Sequence, residues 1–330
     1  MSWAMQMGPD SVADDAEENP LLKLFGYKRS CPVKMRYLAP LFLLTTSYEL
    51  VTDYSFVNKD HPVHFEGEFR GIGKAKFYTH SVKGSHAEYQ DAHAFLYYSH
   101  YLTPDNALSW KVGYSFLDFN WLQNPRFKEH DYNFANASLG WISTSITDWR
   151  WILSGGISVD AQTWDVGQSG VYYGLMWGRY HLSDTLGMHI GWAGYAGVEN
   201  GYLLPILGVD WRVGNHWKIN GDFPINVSTE YLFNDFWSTE LQLASFGRPY
   251  RFPMRIHGGK EGYRNGIFEV YSNGLELDLK FHTKQCFSAS IGAGWNFGGW
   301  ILIKNHHNEH GKYYKYEGAP YAQAKVTGTF

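Results

Sequence analysis

Cysteine is nearly absent, and so is any framework that cysteines could build. Cys31 and Cys286 are the only two in 330 residues. They allow one bridge or two free thiols, and they exclude a disulfide scaffold. Charge is sparse at 18%. The net charge of −4 comes without a dense Lys/Arg cluster in the body of the chain, so the electrostatic footprint of a nucleic-acid-binding protein is missing. No apolar run reaches the 18 or so residues that a spanning helix needs. No G-x-S-x-G motif is present to single out a nucleophilic serine. Regularly spaced apolar residues of helical period are missing as well.

Aromatic residues stand where charge does not. The chain holds 14 Trp, 24 Tyr and 21 Phe, 18% of its length, beside 35 Gly. Mean hydropathy is only −0.36. An aromatic-rich, charge-poor chain that is nevertheless not hydrophobic on average fits a barrel that is apolar outside and polar inside, with aromatic girdles at both membrane interfaces.

Alternation supports that reading. Leu108, Trp110, Val112, Tyr114 and Phe116 share one face of "ALSWKVGYSF". Val63, Phe65, Gly67 and Phe69 do so in "HPVHFEGEFRG". In "NGLELDLKFH", Leu275, Leu277, Leu279 and Phe281 oppose Glu276, Asp278, Lys280 and His282. A period of two with different environments on its two faces is the strand signal. Short turns fall at 103–106, 147–149, 183–185, 214–216, 234–235 and 283–285, most of them flanked by aromatics. Longer connections fall at 81–86, 122–131, 165–169, 248–265 and 304–318. Short turns on one rim and long loops on the other is the pattern of bacterial outer-membrane barrels. The expected fold is therefore all-β: a single transmembrane antiparallel barrel of 12–14 strands over 61–330. Residues 1–60 are expected to form an N-terminal segment, either a signal or a periplasmic region. The strand number turns on Trp217–Phe233, which is too short for two full spanning strands. Either two short strands meet at "FPIN" or the stretch never reaches the far rim.

With the apolar faces toward lipid, the opposite faces line the lumen. Alternation assigns to it Glu66, Glu68, Arg70, Lys111, Asp210, Arg212, Lys218, Asp222, Glu230, Glu276, Asp278, Lys280 and Lys325. Acids and bases are nearly balanced, which suits pairing across the lumen rather than a ring selecting one ion sign. The most basic loop carries Arg248, Arg251, Arg255, Lys260 and Arg264, placed to constrict the lumen or to meet lipopolysaccharide phosphates through bidentate guanidinium contacts. His306, His307, Glu309 and His310 lie in another loop without the order of a zinc protease. No metal, cofactor or catalytic residue is expected.

The last strand, "APYAQAKVTGTF", resembles the closing strand of Gram-negative outer-membrane barrels. Phe330, with Val326 and Ala324 at alternate positions before it, matches their assembly signal. Residues 205–243 resemble an uncharacterised family of outer-membrane barrels through Gly208, Asp210, Trp211, Phe223, Pro224, Glu230 and Tyr231. The resemblance implies fold, an outer-membrane location, and outer-membrane lipid, lipopolysaccharide and the barrel assembly machinery as partners. It carries no activity. The expected function is passive diffusion of small polar solutes. A sealed barrel acting as a surface structural or adhesive protein is the first alternative, and an outer-membrane enzyme the second.

Overall fold

The computed structural model describes residues 61–330 apart from 123–129, 198–200, 224–225, 247–248, 252–265, 284–286 and 305–310. The expectations for residues 1–60, Cys31 and Cys286 lie outside the described residues. So do those for Arg248, Arg255, Lys260, Arg264 and the histidines at 306, 307 and 310. No described helix is long and apolar enough to cross a membrane.

The strands are β1 (Val63–Lys76), β2 (His86–Thr103), β3 (Asn106–Trp121), β4 (Asp131–Ser143), β5 (Trp149–Asp160), β6 (Val171–Ser183), β7 (Leu186–Ala196) and β8 (Tyr202–Val213). They continue as β9 (Trp217–Asp222), β10 (Asn226–Leu232), β11 (Trp237–Phe246), β12 (Pro249–Arg251), β13 (Ile267–His282), β14 (Phe287–Lys304), β15 (Lys312–Tyr316) and β16 (Ala319–Thr329). β11 and β12 both pair with β13, and β15 and β16 both pair with β14. Each couple is one interrupted stave, so the sixteen segments make a closed antiparallel barrel of fourteen staves. Closure is made by β16 on β1, from His64↔Thr329 to Ile72↔Tyr321. Phe330 seals the seam with two backbone bonds to Val63, 3.1 and 2.8 Å long. A closed ladder satisfies its own N–H and C=O groups, which lipid cannot do.

Alternation sorts the faces. Phe69, Val112, Leu207, Leu277 and Ile291 are about half exposed or more on the outside, while Glu66, Glu68, Arg70 and Asp278 are buried on the inside. Trp110, Trp217, Trp237 and Phe330 stand exposed on the outer face in the half that carries the short turns. The stretch 304–318, expected as a loop, is corrected in part: Lys312–Tyr316 is a strand, because Tyr314 and Tyr316 alternate into a buried aromatic cluster.

Of the two expectations for Trp217–Phe233, the first holds: two short strands are present, and the count is fourteen. β9 and β10 exist, and at six and seven residues they stop well short of the far rim. Beside this low hairpin, β8 pairs with β9 only over Asp210–Val213, with one further bridge at Leu207↔Phe223. Pro205 falls in the stretch of β8 above that bridge. A proline there breaks no ladder, since it lies on an edge.

The neighbouring wall does not stand straight above the gap. Irregularities line up across adjacent staves. The breaks are the one between β11 and β12, the Ser272/Gly274 shift of β13 against β14, the break between β15 and β16, and the Ile72/Ala75 shift of β1. At Gly298 the backbone has φ +89°, and a Cβ there would come within 2.6 Å of the Tyr316 carbonyl. Above this line the wall leans into the barrel. Phe268 on β13 lies 5.1 Å from Phe119 and 5.7 Å from Tyr132, ring centre to ring centre. Tyr132 is on β4, reached from β13 by the shorter way round the barrel through β14, β16, β1, β2 and β3. At about 4.8 Å per strand that path is on the order of 29 Å along the wall. The other face of the same segment meets the inside of β8, where Tyr271 packs on the cluster that contains Ile206, Leu175 and Tyr195. The upper parts of β12–β15 thus form a flap tucked between the two sides of the barrel.

The glycine at the bend is a conformational requirement. Gly298→Ala is expected to destabilise the refolded barrel by about 1–3 kcal/mol, read from urea unfolding in detergent; an unchanged midpoint would remove strain from the bend.

Candidate functional site: the polar lining of the barrel

Much of the inner face below the bend is polar, because many of the inward-facing residues of the strands there are charged or hydrogen-bonding, while Ile142, Ile152 and Trp177 make an apolar sector on β4–β6. Three networks organise it. In the first, Arg70 lies 2.8 Å from Glu68 and donates to Gln323 Oε1 at 3.2 and 3.0 Å. Gln323 Nε2 donates to Asp278 Oδ1 at 3.2 Å. Gln242 Nε2 bridges Glu276 at 2.7 Å and Asp278 at 2.9 Å. Gly292 makes room for this chain, since a Cβ there would run into the Asp278 carboxylate.

Beside it, Glu66 pairs with Lys325 at 3.2 Å and His93 at 3.5 Å, and accepts a hydrogen bond from Tyr97 at 3.2 Å. Lys111 on β3 sets its ammonium 3.5 Å from the centre of the Phe95 ring. A cation over a ring face is attracted by the quadrupole.

The second network lies on β6–β9. His189 is held between two carboxylates: its Nδ1 is 2.7 Å from Asp222, and its Nε2 contacts Asp210. Arg179 clamps Asp210 with Nε and Nη2 at 2.7 and 2.6 Å. Gly208 is obligatory beside it, because a side chain there would collide with Asp222. The third network joins Lys218 to Glu230 at 3.0 Å, Glu230 to Ser238 at 2.6 Å and to His282 at 3.6 Å, and Lys280 to Glu240.

Twelve of the thirteen residues assigned by alternation fall in or beside these clusters. Arg212 stands apart, exposed at the short-turn end of β8. The backbone of Arg251 belongs to β12, opposite Ile267, and its side chain lies outside the described residues. Sequence reasoning missed Arg179, His189, Glu240, Gln242 and Gln323 as partners. Alternation places each on the inner face, but which strand it reaches across to depends on register.

No protein-family model matches the chain. An uncharacterised protein of Chlamydia trachomatis is 26% identical over 266 residues, spanning 76% of this chain and 82% of the relative. An uncharacterised protein of Chlamydia pneumoniae is 25% identical over 226 residues, spanning 63% and 68%. Among solved structures, an outer-membrane channel of Pseudomonas putida F1 overlaps with TM-score 0.45 at 8% identity, over 82% of this chain and 96% of that one. The toluene transporter TodX of Pseudomonas putida overlaps with TM-score 0.36 at 8% identity, over 84% and 91%. Scores of this size transfer no function, so the interior itself has to carry the reading.

Asp210 is the hub of the second network. Asp210→Asn leaves Arg179 without its counter-ion. The expected loss is roughly 3 kcal/mol, the low end for a broken buried pair because both side chains keep about a quarter of their exposure. Denaturant titration of wild type, single variant and the Arg179→Met/Asp210→Leu double variant checks it, with the double variant recovering part of the loss.

Proposed function

We propose that the chain is an outer-membrane barrel that works as a gated, passive channel for small polar solutes. The observation that carries this reading is the contrast between the two halves of the interior. Below the bend ion pairs and amides line most of the inner face, with Ile142, Ile152 and Trp177 making an apolar sector on β4–β6. Removing a charge from water costs several kcal/mol, and apolar residues of similar volume would usually stabilise a barrel as well or better. A polar lining is therefore maintained at a cost, which a path for polar solutes justifies. Above the bend the flap bridges the opening through Phe268.

The location rests on the closed ladder and the apolar outer face. The balanced charges favour polarity without a strong choice of ion sign. The bridged mouth favours a second reading, a sealed barrel acting through its surface loops.

Cross-linking separates the two. In a background with Cys31 and Cys286 replaced by Ser, Phe268→Cys and Tyr132→Cys are joined by a short bifunctional thiol reagent. Planar-bilayer conductance of the uncross-linked variant is expected to show discrete steps that fall sharply in amplitude or frequency after cross-linking. Steps that persist unchanged remove the flap from gating. A properly inserted barrel that never conducts, cross-linked or not, sinks the channel and leaves the sealed barrel.

A further inference from the structure

One carboxylate belongs to none of these networks. Glu269 sits on the flap, 4% exposed, and its Oε1 has no hydrogen-bond partner. No ion pair reaches it among the described residues. A buried carboxylate without donors is costly, so it either holds a proton or meets a cation.

Its direct neighbours across the strands are Pro249 and Leu302, and aromatic residues lie one step beyond them. Register places Glu269 opposite Leu302, and Leu302 opposite Tyr313. One step along the same face, Tyr271 stands opposite Trp300. The Tyr271 and Trp300 rings stack at 5.4 Å, and Trp300 meets Tyr313 edge-on at 5.4 Å. From β8, Tyr202 faces the flap within electrostatic reach of both Glu269 and Tyr313. Tyr202, Tyr271 and Trp300 are half-buried and Tyr313 is exposed, so these rings are open to a ligand beside the buried carboxylate.

We infer that Glu269, with Tyr202, Tyr271, Trp300 and Tyr313, forms a binding site for a small organic cation. Aromatic faces attract quaternary and alkylated ammonium groups, and a desolvated carboxylate supplies the counter-charge. An inorganic cation suits the site less well, because hard ions need several oxygen ligands and this site presents one carboxylate among rings. The site stands whether or not the barrel conducts. It lies on the flap's outward side, where that side tucks behind β8, rather than on the polar lining.

The test uses the full-length barrel refolded in detergent, with tetramethylammonium as the probe. Saturation-transfer NMR on the methyl protons and calorimetry are expected to detect binding. tert-Butanol, the neutral isostere, and K⁺ are expected not to compete. Glu269→Gln is expected to weaken binding about tenfold or more, and Trp300→Leu by a smaller factor. Retained heat-modifiable mobility on gels certifies that each variant is folded. Absence of tetramethylammonium binding to the folded wild type overturns the site. So does equal binding to wild type and Glu269→Gln, or displacement by tert-butanol, which leaves Glu269 as a buried protonated acid. Conductance is not read here, so a failed channel and a failed cation site give different results.

Discussion

Every part of this molecule depends on the closure of its backbone ladder. A strand in lipid has no water to satisfy its N–H and C=O groups, so the sheet must return on itself. β16 does this by pairing with β1 through nine residue pairs, and Phe330 with Val63 finishes the seam. Once the ladder is closed, the period of two does the rest: one set of side chains faces outward and the other must find partners inside. The inner networks follow from that enforced proximity. Arg70, Gln323, Asp278 and Gln242 come from four different staves and meet because the wall curves them toward one another.

Among the described residues the β9–β10 hairpin leaves the wall low, and the flap answers it. With little strand above Asp222 and Asn226, the upper wall on the β11–β13 side is free to lean inward until its two faces find apolar partners. One face finds Phe119 and Tyr132, the other the cluster around Ile206. The bend is absorbed where the ladder is already irregular, at Gly298 and at the breaks in β11/β12 and β15/β16. Bulges commonly re-aim a strand in this way. A flap held by aromatic packing thus stands above a lining held largely by ion pairs.

Alternation and turn spacing made the barrel and its short-turn rim legible from sequence, because lipid outside and polar groups inside impose a strict period of two. They also put Glu66, Asp222, Glu230 and Asp278 on the inner face, and they exposed the shortage of residues at 217–233. Residues 312–316 give no strand signal, because "KYYKY" lacks a polar–apolar alternation and follows a His- and Asn-rich stretch. Its strand character comes from Tyr314 and Tyr316 packing into the aromatic cluster.

What the sequence determined alone is therefore local and periodic: strand, face, turn and the aromatic close at Phe330. The tertiary structure decided whatever depends on staves distant in sequence. It set which carboxylate meets which base, since register across the barrel is invisible to alternation. It also turned the upper wall inward, because that fold depends on the gap beside β8 and on the partners across the lumen. Glu269 illustrates the limit: its sequence position gives it an ordinary place on a strand's outer face, and only the tertiary structure buries it.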